Sequence, residues 1–162
     1  MTYDEFFHLI TDQIVPELQN HRGLAVFARN RSKFEGWLKV ELVRCLSEEF
    51  PDVRPETNRL DVTFDNWAVE LKTVNTNYRF PNVQNLTRPI TRNVQGVIAD
   101  TSKLRSSAAK NKAVVFIAFP VEHNHPDWQT QLERIKRHLR DLKHHQFFFL
   151  DNIPSVIYCG KV

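Results

Sequence analysis

Apolar residues recur along this chain with two periods, and the change of period marks its elements. Thr2-Tyr3-Asp4-Glu5 has the spacing of a capping box, and Phe6, Ile10 and Ile14 follow at helical spacing. A helix is predicted there, limited or kinked at Pro16. Residues 23–31 open with G-L-A-V-F-A and read as a short strand or as the lead-in to the next helix. Residues 34–50 predict an amphipathic helix whose apolar stripe is Phe34, Trp37, Leu38, Leu42, Cys45 and Leu46. Pro51 and Asp52 end it, and residues 53–56 suit a short strand. The period then drops to two. Residues 60–73, L-D-V-T-F-D-N-W-A-V-E-L-K-T, alternate on both sides of Asp65-Asn66, a pair that tolerates positive φ and predicts a two-residue hairpin turn.

Beyond the hairpin, residues 74–93 are polar, Asn-rich and broken by Pro81 and Pro89. Residues 91–107 predict a helix with Val94, Val97, Ile98 and Leu104 inward. The continuous apolar run 113–121 predicts a central strand buried on both faces. His123-Asn124-His125-Pro126 predicts a turn. Residues 127–143 read as the clearest helix, with Trp128, Leu132, Ile135, Leu139 and Leu142 at three-four spacing. Residues 147–150 and 155–159 predict two short strands around a turn at Asp151-Asn152 and Pro154. The expected organisation is a single domain over 1–162, with 1–30 as an N-terminal helical extension.

The hairpin carries the chemistry. A two-residue turn sets Phe64 opposite Trp67, Thr63 opposite Ala68, Val62 opposite Val69 and Asp61 opposite Glu70. Opposed residues share a face with Cβ atoms roughly 5 Å apart. Lys72, two residues past Glu70, shares it too. Two opposed carboxylates repel, and a divalent cation between them turns the repulsion into coordination. Mg²⁺, or Mn²⁺, takes oxygen ligands, so Asp61, Glu70 and the Leu71 carbonyl are candidate metal ligands. Lys72 would add positive charge or hold the attacking water. The alternative is an exposed hairpin face with a Lys-Glu ion pair. Glu35 and Glu41 both fall near the edges of the helical stripe, where a carboxylate needs a partner. Either reaches toward a metal on the hairpin, or snorkels to solvent or pairs with Arg or Lys.

Other polar clusters have two readings each. Tyr78, Arg79, Phe80, Arg88 and Arg92 interleave aromatic and basic side chains, which suits stacking and phosphate contact, or an ordinary surface loop. Lys103 and Arg105 sit late in their helix, where the dipole favours cations. Lys136, Arg137, His138, Arg140, Lys143, His144 and His145 crowd the second half of the 127–143 helix, as a solvated face or a phosphate-contact surface. His123 and His125 have no evident third ligand for zinc.

Composition narrows the field. With 162 residues, 41% apolar and 11% aromatic, the chain is globular and long enough for a sizeable core. A net charge of +3 is compatible with a nucleic-acid partner. Cys45 and Cys159 form neither a metal spacing nor a disulfide framework, which points to a reducing cytoplasm. The acidic start is not a signal peptide, and no apolar run approaches the roughly 20 residues that span a bilayer. Four glycines form no dinucleotide or P-loop pattern, which argues against a nucleotide cofactor.

Asp61, then Glu70-Leu71-Lys72 on a predicted hairpin, following a Glu-bearing helix, resembles the PD-(D/E)xK nuclease superfamily. The resemblance covers roughly residues 33–121. It implies a restriction-endonuclease-like α/β fold, a mixed β-sheet flanked by α-helices. By that resemblance Asp61 and Glu70 are metal ligands, Lys72 is the catalytic lysine and Glu35 is the helix acid, with Glu41 competing. Leu60 stands where the name-giving proline would be. Gln95, Asp100 and Lys103 resemble polar positions lining the site, and Arg79 and Arg92 join Gln95 and Lys103 as candidate substrate contacts. The implied activity is metal-dependent hydrolysis of phosphodiester bonds in nucleic acid, DNA in preference to RNA, with a homodimer allowed and no membrane partner. The rival is a catalytically silent nucleic-acid-binding or assembly module on the same fold.

Overall fold

The alternating stretch forms the hairpin its turn residues dictate. In the computed structural model, which describes residues 1–86 and 89–162, β2 (Leu60–Phe64) and β3 (Trp67–Asn75) pair antiparallel. The register sets Phe64 opposite Trp67, Thr63 opposite Ala68 and Val62 opposite Val69, as the sequence predicts. Asp65 takes the left-handed region, with φ 45°. β1 (Arg54–Thr57) pairs with the outer edge of β2 through a turn at Asn58 and Arg59, both at positive φ.

β3 runs parallel to β4 (Asn111–Phe119), from Trp67 opposite Asn111 to Asn75 opposite Phe119. Parallel neighbours need a long crossover, and α5 (Ile90–Arg105) lies within it. β4 is buried from Ala113 to Phe119, which explains why it is apolar on both faces. β6 (Ile153–Lys161) pairs antiparallel with β4, and β5 (Asp141–Phe149) closes the edge. The sheet is mixed and six-stranded, in the order β1-β2-β3-β4-β6-β5.

Helices cover both faces. One core cluster joins the sheet to α1 (Tyr3–Leu9), a π-helical turn (Ile10–Ile14), α2 (Val15–Asn20), α3 (Arg22–Arg29) and α4 (Glu35–Ser47). The other joins it to α5 and α6 (Pro126–Lys136). The first thirty residues therefore supply much of one core face, with Phe6, Ile10 and Leu18 fully buried. The capping box is present in both directions between Thr2 and Glu5. Pro16 does not end the helix. The π turn lies just before it, where the missing proline N–H and the ring disturb the regular ladder, and the helix resumes to Asn20. Residues 22–29 are helical, with Leu24, Ala25 and Ala28 buried at three-four spacing.

The C-terminal third corrects two expectations. Pro154 lies within β6 and not in the turn before it. The helix predicted over 127–143 stops at Lys136, and Leu142 and Lys143 belong to β5. Helical periodicity was satisfied by Leu139 and Leu142, both of which pack on the α5–α6 core cluster, but from a turn and a strand. The deciding term is tertiary. β6 is buried from Ile153 to Gly160, and its outer main-chain groups need a partner. β5 supplies them, pairing from Asp141–Lys161 to Phe149–Ile153. The basic residues read as one helical face are thereby divided between the end of α6, a turn and an edge strand. Arg88 lies outside the described residues. Among the described residues, no helix is long and apolar enough to cross a membrane.

Arg31 fastens the loop that follows β3. It is fully buried, at φ 54°, and its guanidinium donates to the carbonyls of Gln84, Thr76 and Tyr78 and, at 3.2 Å, to Asn75 Oδ1. No carboxylate answers it among the described ion pairs. Arg31→Met should orphan these acceptors and lower unfolding free energy by about 3 kcal/mol or more, read from urea denaturation. A loss under about 1 kcal/mol would show that water replaces the guanidinium at little cost.

Candidate functional site

The paired register of β2 and β3 ends at Val62–Val69, so the expected Asp61–Glu70 pair lies one step past the ladder, and it is the Asp61 side chain that meets β3 there. β3 continues past the start of β2, so its main-chain donors on that side need other acceptors. Leu71 N–H donates to Asp61 Oδ2 at 2.9 Å. Thr73 N–H donates to Glu35 Oε1 at 3.0 Å. The two carboxylates thus cap the open side of β3. In an extended strand the C=O of a residue points the same way as its N–H, so the Leu71 carbonyl also faces the Asp61 side.

Each acid of this cluster meets a lysine. Lys39 Nζ lies 2.9 Å from Asp61 Oδ1 and 3.0 Å from Glu56 Oε1. Lys103 Nζ lies 2.7 Å from Glu70 Oε1, Lys72 Nζ lies 3.0 Å from Asp100 Oδ2, and Lys33 Nζ lies 3.6 Å from Glu35 Oε1. The simple Lys72–Glu70 pair of an exposed hairpin face does not form. Instead α5 supplies a partner to each, because Asp100 and Lys103 are three residues apart and share a helix face.

Burial and these partners set the charge states. Glu70 is 2% exposed, and burial pushes its pKa up to about 7 against the pull of Lys103, with Asp61 and Asp100 adding to the rise. Burial works to raise Asp61 as well, but Leu71 N–H and Lys39 outweigh it and hold that carboxyl below its ordinary value. Burial raises Asp100, opposed by Lys72. Burial works against the Lys72 ammonium, yet Asp100 outweighs it and holds the pKa above its usual value. Lys72 is therefore a firm cation near neutrality and no general base.

Glu70 Oε1 and Asp100 Oδ2 are closed from solvent, each with a lysine ammonium against it. Among the described residues no group of three or more His, Cys, Asp or Glu side chains could hold a metal ion. A hard octahedral cation needs less, since Mg²⁺ keeps several waters on one or two carboxylates. Asp61, Glu70 and the Leu71 carbonyl are oxygen donors of that class, and Lys39 and Lys103 lie against the two carboxylates.

The remaining candidates divide. Glu35, not Glu41, reaches β3, since Glu41 pairs with Arg44 on its own helix at 2.8 Å. Arg92 lines a cleft of about 430 Å³ with Lys33, Lys72 and Asn93. Lys103 belongs to the cluster as the partner of Glu70. Gln95 is exposed on α5, outside the lining of that cleft, and Arg79 lines a different one. Lys33 and Lys39 escaped the sequence reading. Lys39 follows Glu35 by four residues, so the two share a face of α4, and that spacing was the available signal.

Glu70 keeps its proton to higher pH when folded than when unfolded. Its contribution to stability is thus full below about pH 4.5 and is lost as pH rises through about 7. Relative to wild type, Glu70→Gln should gain about 3 kcal/mol across that window, measured by urea unfolding at stepped pH. Asp61 acts in the opposite sense, at pH below its ordinary value, outside this window. Parallel stability profiles for the two proteins would refute a raised Glu70. Compared with known proteins, the chain matches no family model, no curated protein and no solved structure.

Proposed function

We propose that this chain is a Mg²⁺- or Mn²⁺-dependent nuclease that hydrolyses phosphodiester bonds of nucleic acid, DNA in preference to RNA. The observation that carries the reading is one face of a ribbon bearing Asp61, Glu70 and Lys72, with Glu35 reaching the same strand from α4. The order α4-β1-β2-β3-α5-β4, with β3 and β4 parallel, supports the resemblance to the PD-(D/E)xK superfamily.

Asp61, Glu70 and the Leu71 carbonyl would hold the cation. When bound, a divalent cation polarises a phosphoryl oxygen and lowers the pKa of a water. Lys72, kept protonated by Asp100, faces a cleft it shares with Lys33 and Arg92. These three cations seat the phosphate and offset the negative charge that grows on it as water attacks. Asp100 positions Lys72. A groove of about 750 Å³ beyond Lys103, with Arg54 and Arg59 in its wall, gives a flanking strand further phosphate contacts.

The rival reading, a nucleic-acid-binding or assembly module that does not cut, draws on a specific observation. Every acid of the cluster already has a lysine partner, so the network is complete as a structural unit. Purified protein with Mg²⁺ or Mn²⁺ should nick plasmid or cut single-stranded DNA, and Glu70→Gln or Lys72→Ala should lower the rate by about 100-fold or more. Salt-sensitive DNA binding without cutting would favour the rival. In addition, Mg²⁺ should raise the unfolding temperature of wild type more at pH 8 than at pH 6, because Glu70 must lose its proton to bind. Glu70→Gln should show little of this shift. A wild type indifferent to saturating Mg²⁺ at pH 8 would count against the cation site.

A further inference from the structure

A second cleft, of about 340 Å³, lies at the carboxyl ends of β3 and β4. Its walls come from the loop after β3, through Tyr78, Arg79 and Phe80, and from the segment between β4 and α6, through Val121 and His125. Tyr78 and His125 stack face to face, with centroids 4.3 Å apart and planes 13° from parallel. Phe80 is half-buried beside them. Three ring-bearing side chains thus line the cleft, two of them locked together by the stack. Arg79, Glu122 and Asn124 are exposed around it. Neither Arg79 nor Glu122 has an ion-pair partner among the described residues.

From these features we infer that this cleft receives an unpaired base of a nucleic-acid strand. The inference rests on the proposed engagement of nucleic acid and adds a base-stacking subsite to it. An aromatic side chain, Phe80, with the Arg79 guanidinium on the same lining suits a planar ring attached to an anionic backbone. The exposed Glu122 carboxylate and Asn124 amide offer an acceptor and a mixed donor-acceptor to the edge of a base. Size agrees, since the volume is at the lower end for small-ligand clefts.

Position ties the cleft to the Lys72 site. Lys72 and Val74 face the α5–α6 side of the sheet, and Val121 and Tyr78 pack in the same cluster. From Lys72 to the end of β3 and into Thr76 the strand advances roughly 13 Å, at about 3.3 Å per residue. That separation is within reach of a few nucleotides. Asn93 Nδ2, at the Lys72 cleft, donates to the carbonyl of Asn75 at 2.8 Å, and Thr76 Oγ1 donates to the carbonyl of Pro120, at the second cleft, at 2.7 Å. Short hydrogen-bonded links thus hold the two openings at a set spacing. Arg31 fixes the same loop from beneath through Thr76 and Tyr78.

The test compares a fluorescently labelled ten-nucleotide DNA strand with the same strand made of abasic sites, by anisotropy in EDTA so that nothing is cut. Wild type should bind the intact strand roughly five- to hundred-fold more tightly than the abasic one. Phe80→Ala should abolish that preference, whereas Phe80→Tyr, which keeps a ring, should retain it. Arg79→Ala, at an exposed position, should weaken binding of the intact strand without unfolding the protein. Equal wild-type affinity for intact and abasic strands, no binding of either, or an unchanged preference in Phe80→Ala would each overturn the inference. Cleavage is scored separately with Mg²⁺ on duplex plasmid. A protein that prefers bases but never cuts keeps this subsite and loses the hydrolytic reading. A protein that cuts but ignores bases keeps the hydrolytic reading and loses the subsite.

Discussion

A carboxylate shut between a sheet and a helix must be answered by other charges, and Glu70 imposes that condition on one whole face of this protein. Its raised proton affinity is the measure of the cost of burial. α5 answers with Lys103, α4 answers Asp61 with Lys39, and Lys72 is held by Asp100. The acids also have backbone duties, because Asp61 and Glu35 accept from main-chain donors of β3 that β2 no longer covers. The same side chains therefore complete the sheet and concentrate negative charge. Capping fixes these two carboxylates in place along the open side of β3.

The sheet's mixed topology decides where these groups can be used. The parallel pairing of β3 with β4 forces a long crossover, and that crossover carries both the partners of the acids, on α5, and the loop of Tyr78 to Phe80. The carboxyl ends of parallel strands are open because their connections leave from there. Both clefts discussed above use that end. Arg31 holds the loop after β3 by donating to carbonyls that would otherwise be buried without partners.

The opposite edge of the sheet illustrates a different constraint. β5 has one unpaired side, and a long unpaired edge invites association with other chains. Lys143, His144 and His145 fall in the middle of this strand, where charge and polarity discourage such pairing. His144 stacks on His123 with ring centroids 3.6 Å apart, and His123 Nδ1 lies 2.9 Å from the Tyr158 hydroxyl. Burial lowers the proton affinity of both imidazoles, and each also feels nearby positive charge. These residues are accounted for by an edge strand and its packing, which a helical reading of the same basic cluster would not require.

Local rules were enough to read much of this chain from its residues. The hairpin register followed from a two-residue turn and an alternating pattern, and both are short-range properties of the backbone. α4, α5 and β4 were legible for the same reason, because periodicity reports the face that will be buried. What lay beyond reach depended on neighbours distant in sequence. The strand identity of 141–149 came from the needs of β6, and the choice of Glu35 over Glu41 came from which turn of α4 lies over Thr73. The pairing of Lys72 with Asp100 and of Glu70 with Lys103 is decided by how α5 lies across the sheet, a packing angle that periodicity does not encode. Residue spacing could put two carboxylates and a lysine on one face, but only the helices packed above them determine which charges they meet.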